Sequence, residues 1–139
     1  MITTSRSSLL VLVTTKMDIK NTTHKKKPNL PFNKIKEFVL GKKYELSLVF
    51  IDDKLSFKLN KQYRKINEPT NILTFPLTAN EGEIFINLAL ATKQARQFER
   101  KKDDFVGFLF IHGLLHLKGY EHSSKMEREE KKVRTKFNL

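Results

Sequence analysis

The sequence contains no cysteine, no long apolar segment and few acidic residues relative to its basic ones. Without cysteine the chain can form neither disulfide bonds nor thiolate metal sites, so any metal ligand must be a histidine, an aspartate or a glutamate. No apolar run approaches the ~20 residues that a transmembrane helix needs, so we do not expect a membrane protein. These absences leave a protein that folds around an ordinary apolar core.

The net charge is +12, from 27 lysines and arginines against 15 aspartates and glutamates. Such an excess favours a polyanionic partner, nucleic acid first and an anionic membrane second. Residues 1–43 carry ten basic and two acidic side chains, so two thirds of the net charge lies in this segment. Because a basic tail often only keeps a protein soluble, charge alone does not establish RNA or DNA binding.

The length of 139 residues fits one domain. Residues 1–16 are rich in serine and threonine, and their only apolar run, Leu9–Val13, is shorter than the ~7–15 residues of a secretory signal. We interpret residues 1–17 as an N-terminal extension, either disordered or a non-native start, with an organellar transit peptide as the alternative. Residues 18–139 then form the single domain.

Helical and strand patterns interleave along this domain. They predict strands over Tyr44–Ile51, Ile72–Leu77 and Glu83–Leu88, with Gly82 in the connection between the last two. They predict helices that begin at Pro31, after Asp52 or Asp53, at Leu88, after Asp103 as N-cap, and at a Ser124-x-x-Glu127 capping box. The expected class is α+β, a small mixed β-sheet packed by about five helices.

The helix predicted after Asp103 is apolar on every face and ends at Gly119. Such a helix is buried at the centre of a domain, yet this one carries His112 and His116. The two rings are four residues apart, so they project from one face, and a left-handed turn at Gly119 can bring His122 back toward them. Three imidazoles with one position left open describe a catalytic zinc site better than a structural one.

Two alternatives to this zinc site remain at this point. The same ligands can hold nickel, copper or iron. The histidines can also be ordinary core or surface residues, although two unpaired imidazoles in an apolar helix would each cost a few kcal/mol.

The spacing His-x3-His-x2-Gly-x2-His is also that of the metzincin proteases. Those enzymes place a general-base glutamate directly after the first histidine, and here that position is Gly113. Gly113 instead suits close packing of the helix backbone. A metalloprotease is therefore the weakest hypothesis for this chain.

The segment from His112 to His122, HGLLHLKGYEH, resembles the YbeY family, bacterial endoribonucleases that act in ribosomal RNA maturation. Three further segments resemble that family in the same order: LNKQYR followed by EPTNILTFP, then Gly82-Glu83-Ile84, then Met126-Glu127-x2-Glu130. Departures are mild, because Glu83 and Glu121 replace the commoner aspartates and the loop at 77–82 is short.

The resemblance implies a zincin-like site in which His112, His116 and His122 hold one Zn²⁺ ion. It also implies cleavage of single-stranded RNA, with a role in small-subunit ribosomal RNA maturation and ribosome quality control. Expected partners are ribosomal RNA and components of the small subunit, in the cytoplasm and with no membrane. Arg64 matches the arginine that is functionally important in the family, which makes it the candidate catalytic residue.

The chemistry of RNA cleavage agrees with these residue types. A metal ion neutralises a phosphoryl oxygen and lowers the pKa of water toward ~7, and a guanidinium can hold two phosphate oxygens at once. Glu121 can orient an imidazole, accept a proton or simply be solvated, and Tyr120 and Phe75 can stack on bases or belong to the core. Since no carboxylate follows the first histidine, a metal-stabilised ribosome assembly factor that binds RNA without cleaving it is the alternative function.

Overall fold

The computed structural model describes residues 17–139, which form four strands and five helices. The strands are β1 (Met17–Asn21), β2 (Glu45–Ile51), β3 (Ile72–Thr78) and β4 (Glu81–Asn87). The helices are α1 (Phe32–Leu40), α2 (Asp53–Arg64), α3 (Leu88–Gln97), α4 (Lys102–Lys118) and α5 (Ser124–Phe137). The predicted α+β class with a small mixed sheet is confirmed. The interpretation of residues 1–17 as an extension lies outside the described residues, apart from Met17.

The four strands form one mixed sheet in the order β1-β2-β4-β3. The pairs β1–β2 and β2–β4 are parallel, whereas β3 and β4 form an antiparallel hairpin. Leu46, Leu48 and Phe50 of β2 are buried, as expected for a central parallel strand. Strand β3 lies at an edge, where Pro76 is tolerated because its missing N–H leaves no gap in the sheet interior.

Two features of the sheet differ from the sequence predictions. Strand β1 was not predicted, and it begins at Met17, which pairs with Leu46. Gly82 lies inside β4 and not in the connection, because β3 extends to Thr78 and β4 begins at Glu81. A glycine is favoured at position 82 because a Cβ atom there would collide with the hydroxyl of the buried Tyr44.

Helix α4 is the central element of the fold, as predicted. It contacts α1, α3, α5 and the strands β3 and β4, and its apolar side chains are buried on all of these sides. None of the helices between residues 17 and 139 combines the length and the apolar character needed to cross a membrane.

The predicted N-caps of α4 and α5 are each displaced in the structure. Lys101 occupies the N-cap position of helix α4 without a capping hydrogen bond from its side chain. Asp103 lies in the first turn, where its carboxylate accepts a hydrogen bond from the backbone N–H of Asn29 (3.2 Å). Helix α5 is capped by Ser123, whose hydroxyl accepts from the backbone N–H of Met126 (3.2 Å), so the predicted Ser124-x-x-Glu127 box begins one residue too late. An acid in the first turn still stabilises the positive end of the helix dipole.

Gly113 is the point at which α4 packs most closely on the sheet. A Cβ atom at this position would lie 2.9 Å from Ile72 Cδ1, 3.1 Å from Thr74 Cγ2 and 3.2 Å from Ile84 Cδ1. Gly107, in the same helix, would meet Leu139 Cδ1 at 2.9 Å, but that side chain is only partly buried. The close packing predicted for Gly113 is therefore confirmed.

We expect Gly113→Ala to lower the free energy of unfolding by about 1–2 kcal/mol. Crowding in a packed core costs ~1–3 kcal/mol, which exceeds the ~1 kcal/mol that alanine gains over glycine in a helix. Gly107→Ala is the matched control and should be neutral or stabilising, because Leu139 can move aside. Urea unfolding of the three proteins measures the difference, and equal stability of the two variants would contradict this account.

Candidate metal centre

The three histidines predicted as metal ligands converge in the structure. His112 and His116 project from one face of α4, and His122 lies in the loop that follows this helix. Gly119 ends the helix in the left-handed conformation, with φ +112°, as the sequence predicted. One ring nitrogen from each histidine lies within 4.8 Å of the others.

The backbone selects the tautomer of His116. Its Nδ1 atom lies 3.0 Å from the carbonyl oxygen of Tyr120. Because a carbonyl oxygen can only accept, Nδ1 carries the hydrogen and Nε2 keeps its lone pair for a metal ion. Burial lowers the pKa of the His116 ring, and the neighbouring His112 lowers it further, so the neutral form is favoured.

The distance between two of these nitrogens fits a tetrahedral ion. The Nε2 atoms of His112 and His116 are 3.1 Å apart. Two ligands at ~2.0–2.1 Å in a tetrahedral zinc site are separated by about 3.3 Å. The planes of the two rings are inclined at 84°, and both rings lie within 5.0 Å of the His122 ring centroid. The residues present therefore fit a metal ion bound by three nitrogens.

Glu130 of α5 is a buried carboxylate beside His112. Its side-chain Oε2 lies 3.5 Å from His112 Nδ1, and within residues 17–139 this oxygen has no hydrogen-bond donor. The residue is only 8% exposed. A carboxylate on this side of the ring favours hydrogen on Nδ1, which leaves Nε2 free to bind a metal.

No role was predicted for Glu130 from the sequence. A signal was present, because Glu130 lies four residues after Met126 and three before Val133, on the buried stripe of α5. A charged residue on such a stripe needs a polar partner. Which partner it meets depends on how α5 packs against α4.

Arg64 lies beside a cavity of about 730 Å³ that the three histidines also line. It is the last residue of α2, and Lys65 ends this helix in the left-handed conformation with φ 60°. The arginine is exposed, and in the part of the chain that the structure describes its guanidinium makes no ion pair. The remaining walls come from β3 and from the loop 119–122.

Buried polar side chains hold the connection from α2 to β3. The hydroxyl of Ser56 donates to the carbonyl of Thr70 (2.7 Å) and accepts from the backbone N–H of the same residue (2.9 Å). The Asn60 amide donates to the carbonyl of Glu68 (2.7 Å), and Asn71 donates to Gln94 (2.9 Å). These bonds fix the end of α2, and therefore Arg64, relative to the edge strand of the sheet.

The three side chains whose roles the sequence left open, Glu121, Tyr120 and Phe75, lie in different surroundings. Glu121 is exposed and, of the described residues, is the only carboxylate that lines the cavity. Tyr120 packs against the core, with Lys125 Nζ 5.6 Å from its ring centroid. Phe75 is partly exposed at the cavity wall and contacts Tyr63 edge to face.

Residues 12–138 match the sequence model of a family described as "Endoribonuclease YbeY". A protein of that name from Pelotomaculum thermopropionicum is 36% identical over 115 residues, covering 71% of this chain and 76% of the relative. Another from Neorickettsia sennetsu is 37% identical over 110 residues, covering 71% and 77%. The solution structure of a Thermotoga maritima protein has a TM-score of 0.64 at 26% identity, covering 88% of this chain and 91% of the other.

We expect Glu130→Gln to weaken the binding of added zinc by about 10-fold and Glu130→Ala by up to ~100-fold. Glutamine keeps the shape of the side chain but loses the charge that favours hydrogen on His112 Nδ1. Competition with a chromophoric chelator measures the affinity without any assay of activity.

Glu129→Gln serves as the control for this prediction. Glu129 is the preceding residue, and its carboxylate pairs with Lys132 at 3.1 Å on the surface, where an ion pair contributes little. Its variant should bind zinc like the original chain. Unchanged affinity in both Glu130 variants would show that the carboxylate has no influence on the site.

Proposed function

Because this chain belongs to the endoribonuclease YbeY family, we propose that it cleaves single-stranded RNA with a zinc ion held by His112, His116 and His122. The family makes the chain a metal-dependent RNA hydrolase. Zinc, the identity of the ligands and a catalytic role for Arg64 are our proposals beyond that class.

One observation supports the proposal above all others. Three imidazoles line the same cavity as a guanidinium that has no ion pair within residues 17–139. A phosphodiester is anionic, and its cleavage places further negative charge on the phosphoryl oxygens. A guanidinium beside imidazoles that can hold a metal cation suits that charge, whereas a site for an uncharged substrate has no need of them.

Each side chain of the cavity has a role in this proposal. Arg64 holds two phosphate oxygens through a planar fork that lysine lacks. A zinc ion, when bound, supplies positive charge to the phosphate and water of lowered pKa. Glu121 is the carboxylate placed to accept a proton, since Gly113 is packed against the sheet and offers none.

We further propose that the substrate is ribosomal RNA and that the protein acts in small-subunit maturation and ribosome quality control. The family resemblance of four segments supports this substrate, and the net charge of +12 suits a large polyanion. Components of the small subunit are the expected partners. A ribosomal substrate also implies a cytoplasmic location.

The alternative is a metal-stabilised assembly factor that binds RNA without cleaving it. The residue at position 113 favours this alternative, because a glycine there supplies no carboxylate directly after the first histidine. The same observation argues against a metalloprotease, whose general base occupies that position.

The nuclease proposal predicts metal-dependent cleavage that requires Arg64. We expect a chelator to abolish cleavage of single-stranded RNA and added zinc to restore it. Arg64→Ala should lower the rate by about 10²–10³-fold, the usual effect of removing one donor to a developing oxyanion. Arg64→Lys should recover only part of the rate, because an ammonium cannot bind two oxygens in the same plane.

Two further variants control for contamination and for general loss of charge. His116→Ala, purified identically, should be inactive, whereas a contaminating ribonuclease would act in every preparation. Lys61→Ala removes an exposed charge from α2 outside the cavity and should leave the rate unchanged. If the unmodified protein binds RNA but cuts it no faster than His116→Ala, the assembly-factor alternative replaces the nuclease. Degradation of casein but not of RNA would instead support the metalloprotease hypothesis.

A further inference from the structure

Tyr63 presents an exposed aromatic ring at the wall of the cavity that contains the histidines. Five large apolar side chains of the described residues are exposed, namely Phe38, Phe57, Tyr63, Leu77 and Phe98. Among these five, only Tyr63 lines the cavity, and it is 58% exposed. A single exposed aromatic residue is common in proteins, so its position and its neighbours decide its meaning.

The Tyr63 ring is supported from the sheet side. Its centroid lies 5.3 Å from that of Phe75, with an interplanar angle of 66°. Phe75 in turn contacts Phe85, with ring centroids 5.7 Å apart and an interplanar angle of 78°. The three rings therefore pack in a row, and the second and third belong to β3 and β4. Tyrosine has few side-chain torsions, and this packing restricts them further, so little freedom is lost when a ligand covers the ring.

Arg64, the next residue along the chain, provides a cationic group beside this ring. Both side chains line the same cavity, and the structure gives the guanidinium no acidic partner between residues 17 and 139. An exposed aromatic ring beside a free guanidinium matches the two parts of a nucleotide, a flat base and a phosphate.

We propose that an unpaired nucleobase of the RNA substrate stacks on Tyr63 while a phosphate of the same strand binds Arg64. This inference rests on the proposed function, because it assumes that RNA enters the cavity. It assigns Tyr63 as a substrate-binding residue and Phe75 as the residue that positions its ring.

The stacking site accounts for a preference for single strands. In an A-form duplex the bases are already paired and stacked, and a protein meets mainly phosphates and ribose hydroxyls. A base from a loop or an end can leave its neighbours and cover the tyrosine ring. Because every base has a π-face, the contact favours single strands without favouring one sequence.

The test measures binding in the presence of a chelator, so that cleavage does not interfere. Fluorescence anisotropy of the full chain compares a labelled oligoadenylate with an abasic ribose-phosphate strand of equal length. We expect Tyr63→Ala to weaken oligoadenylate binding by about 5- to 100-fold. Tyr63→Phe should bind like the original chain, and neither variant should change affinity for the abasic strand.

The comparison of the two strands separates stacking from structural damage. A Tyr63→Ala protein that loses affinity equally for both strands would show that Tyr63 acts only through the fold, and the proposal would be wrong. No loss for either strand, or no binding by the unmodified protein, would overturn it as well. Phe98→Ala is the control, because this ring is 64% exposed but lies outside the cavity, and its affinity should not change.

A second readout follows the base itself. An oligonucleotide with 2-aminopurine should lose fluorescence on binding to the original chain and to Tyr63→Phe, and should lose much less on binding to Tyr63→Ala. Cleavage with added zinc is measured separately. If binding depends on the base but no cleavage occurs, the proposed nuclease function is wrong and the stacking site is still supported. If cleavage occurs but binding does not depend on the base, only the stacking proposal is wrong.

Discussion

The close contact between α4 and the sheet at Gly113 is the constraint on which the site depends. With no side chain at this position, the helix lies directly against Ile72, Thr74 and Ile84. Two of these residues belong to β3, the edge strand that forms a wall of the cavity. The same contact therefore fixes the height of His112 and His116 above the sheet and their distance from the opposite wall. A metal site tolerates little error in ligand position, so a rigid support is needed.

Around this contact, each part of the site is held by a separate buried polar group. Tyr120 fixes the ring of His116 through its backbone carbonyl, and Glu130 lies against the ring of His112. Ser56 and Asn60 tie the segment after α2 to that helix. Such groups are costly to bury, and here their partners are the elements that carry the site. The polar part of the interior thus serves to position the cavity walls.

The groups expected to meet substrate are, in contrast, exposed and unpaired. Arg64 and Glu121 have no ion-pair partner in the described range, and Tyr63 is largely open to solvent. Unpaired groups of opposite charge and an aromatic ring around one cavity contribute little to stability. They are arranged where an anionic, partly aromatic polymer would contact all of them, and the rigid elements beneath leave them correctly placed before binding.

Much of this arrangement could be predicted because it depends on local spacing. A separation of four residues places His112 and His116 on one face of any helix, and Gly119 can take the left-handed conformation that ends it. The apolar surface of α4 on every side required a central position in the fold. The helices and the α+β class could also be predicted, because apolar residues recur at the spacings typical of helices and strands.

The rest depended on contacts between residues far apart in the sequence. Strand β1 is short and mixed in polarity, so only its pairing with β2 defines it. The start of α5 was misplaced because the adjacent Ser123 and Ser124 offer the same local signal, whereas α4 begins after Lys101, which provides no side-chain cap that the sequence could reveal. The sequence by itself determined three imidazoles at a spacing that suits a metal ion, and a buried helix that carries two of them. Only the tertiary structure decided that Glu130 and Tyr63 join the site, because those contacts arise from the packing of separate helices and strands.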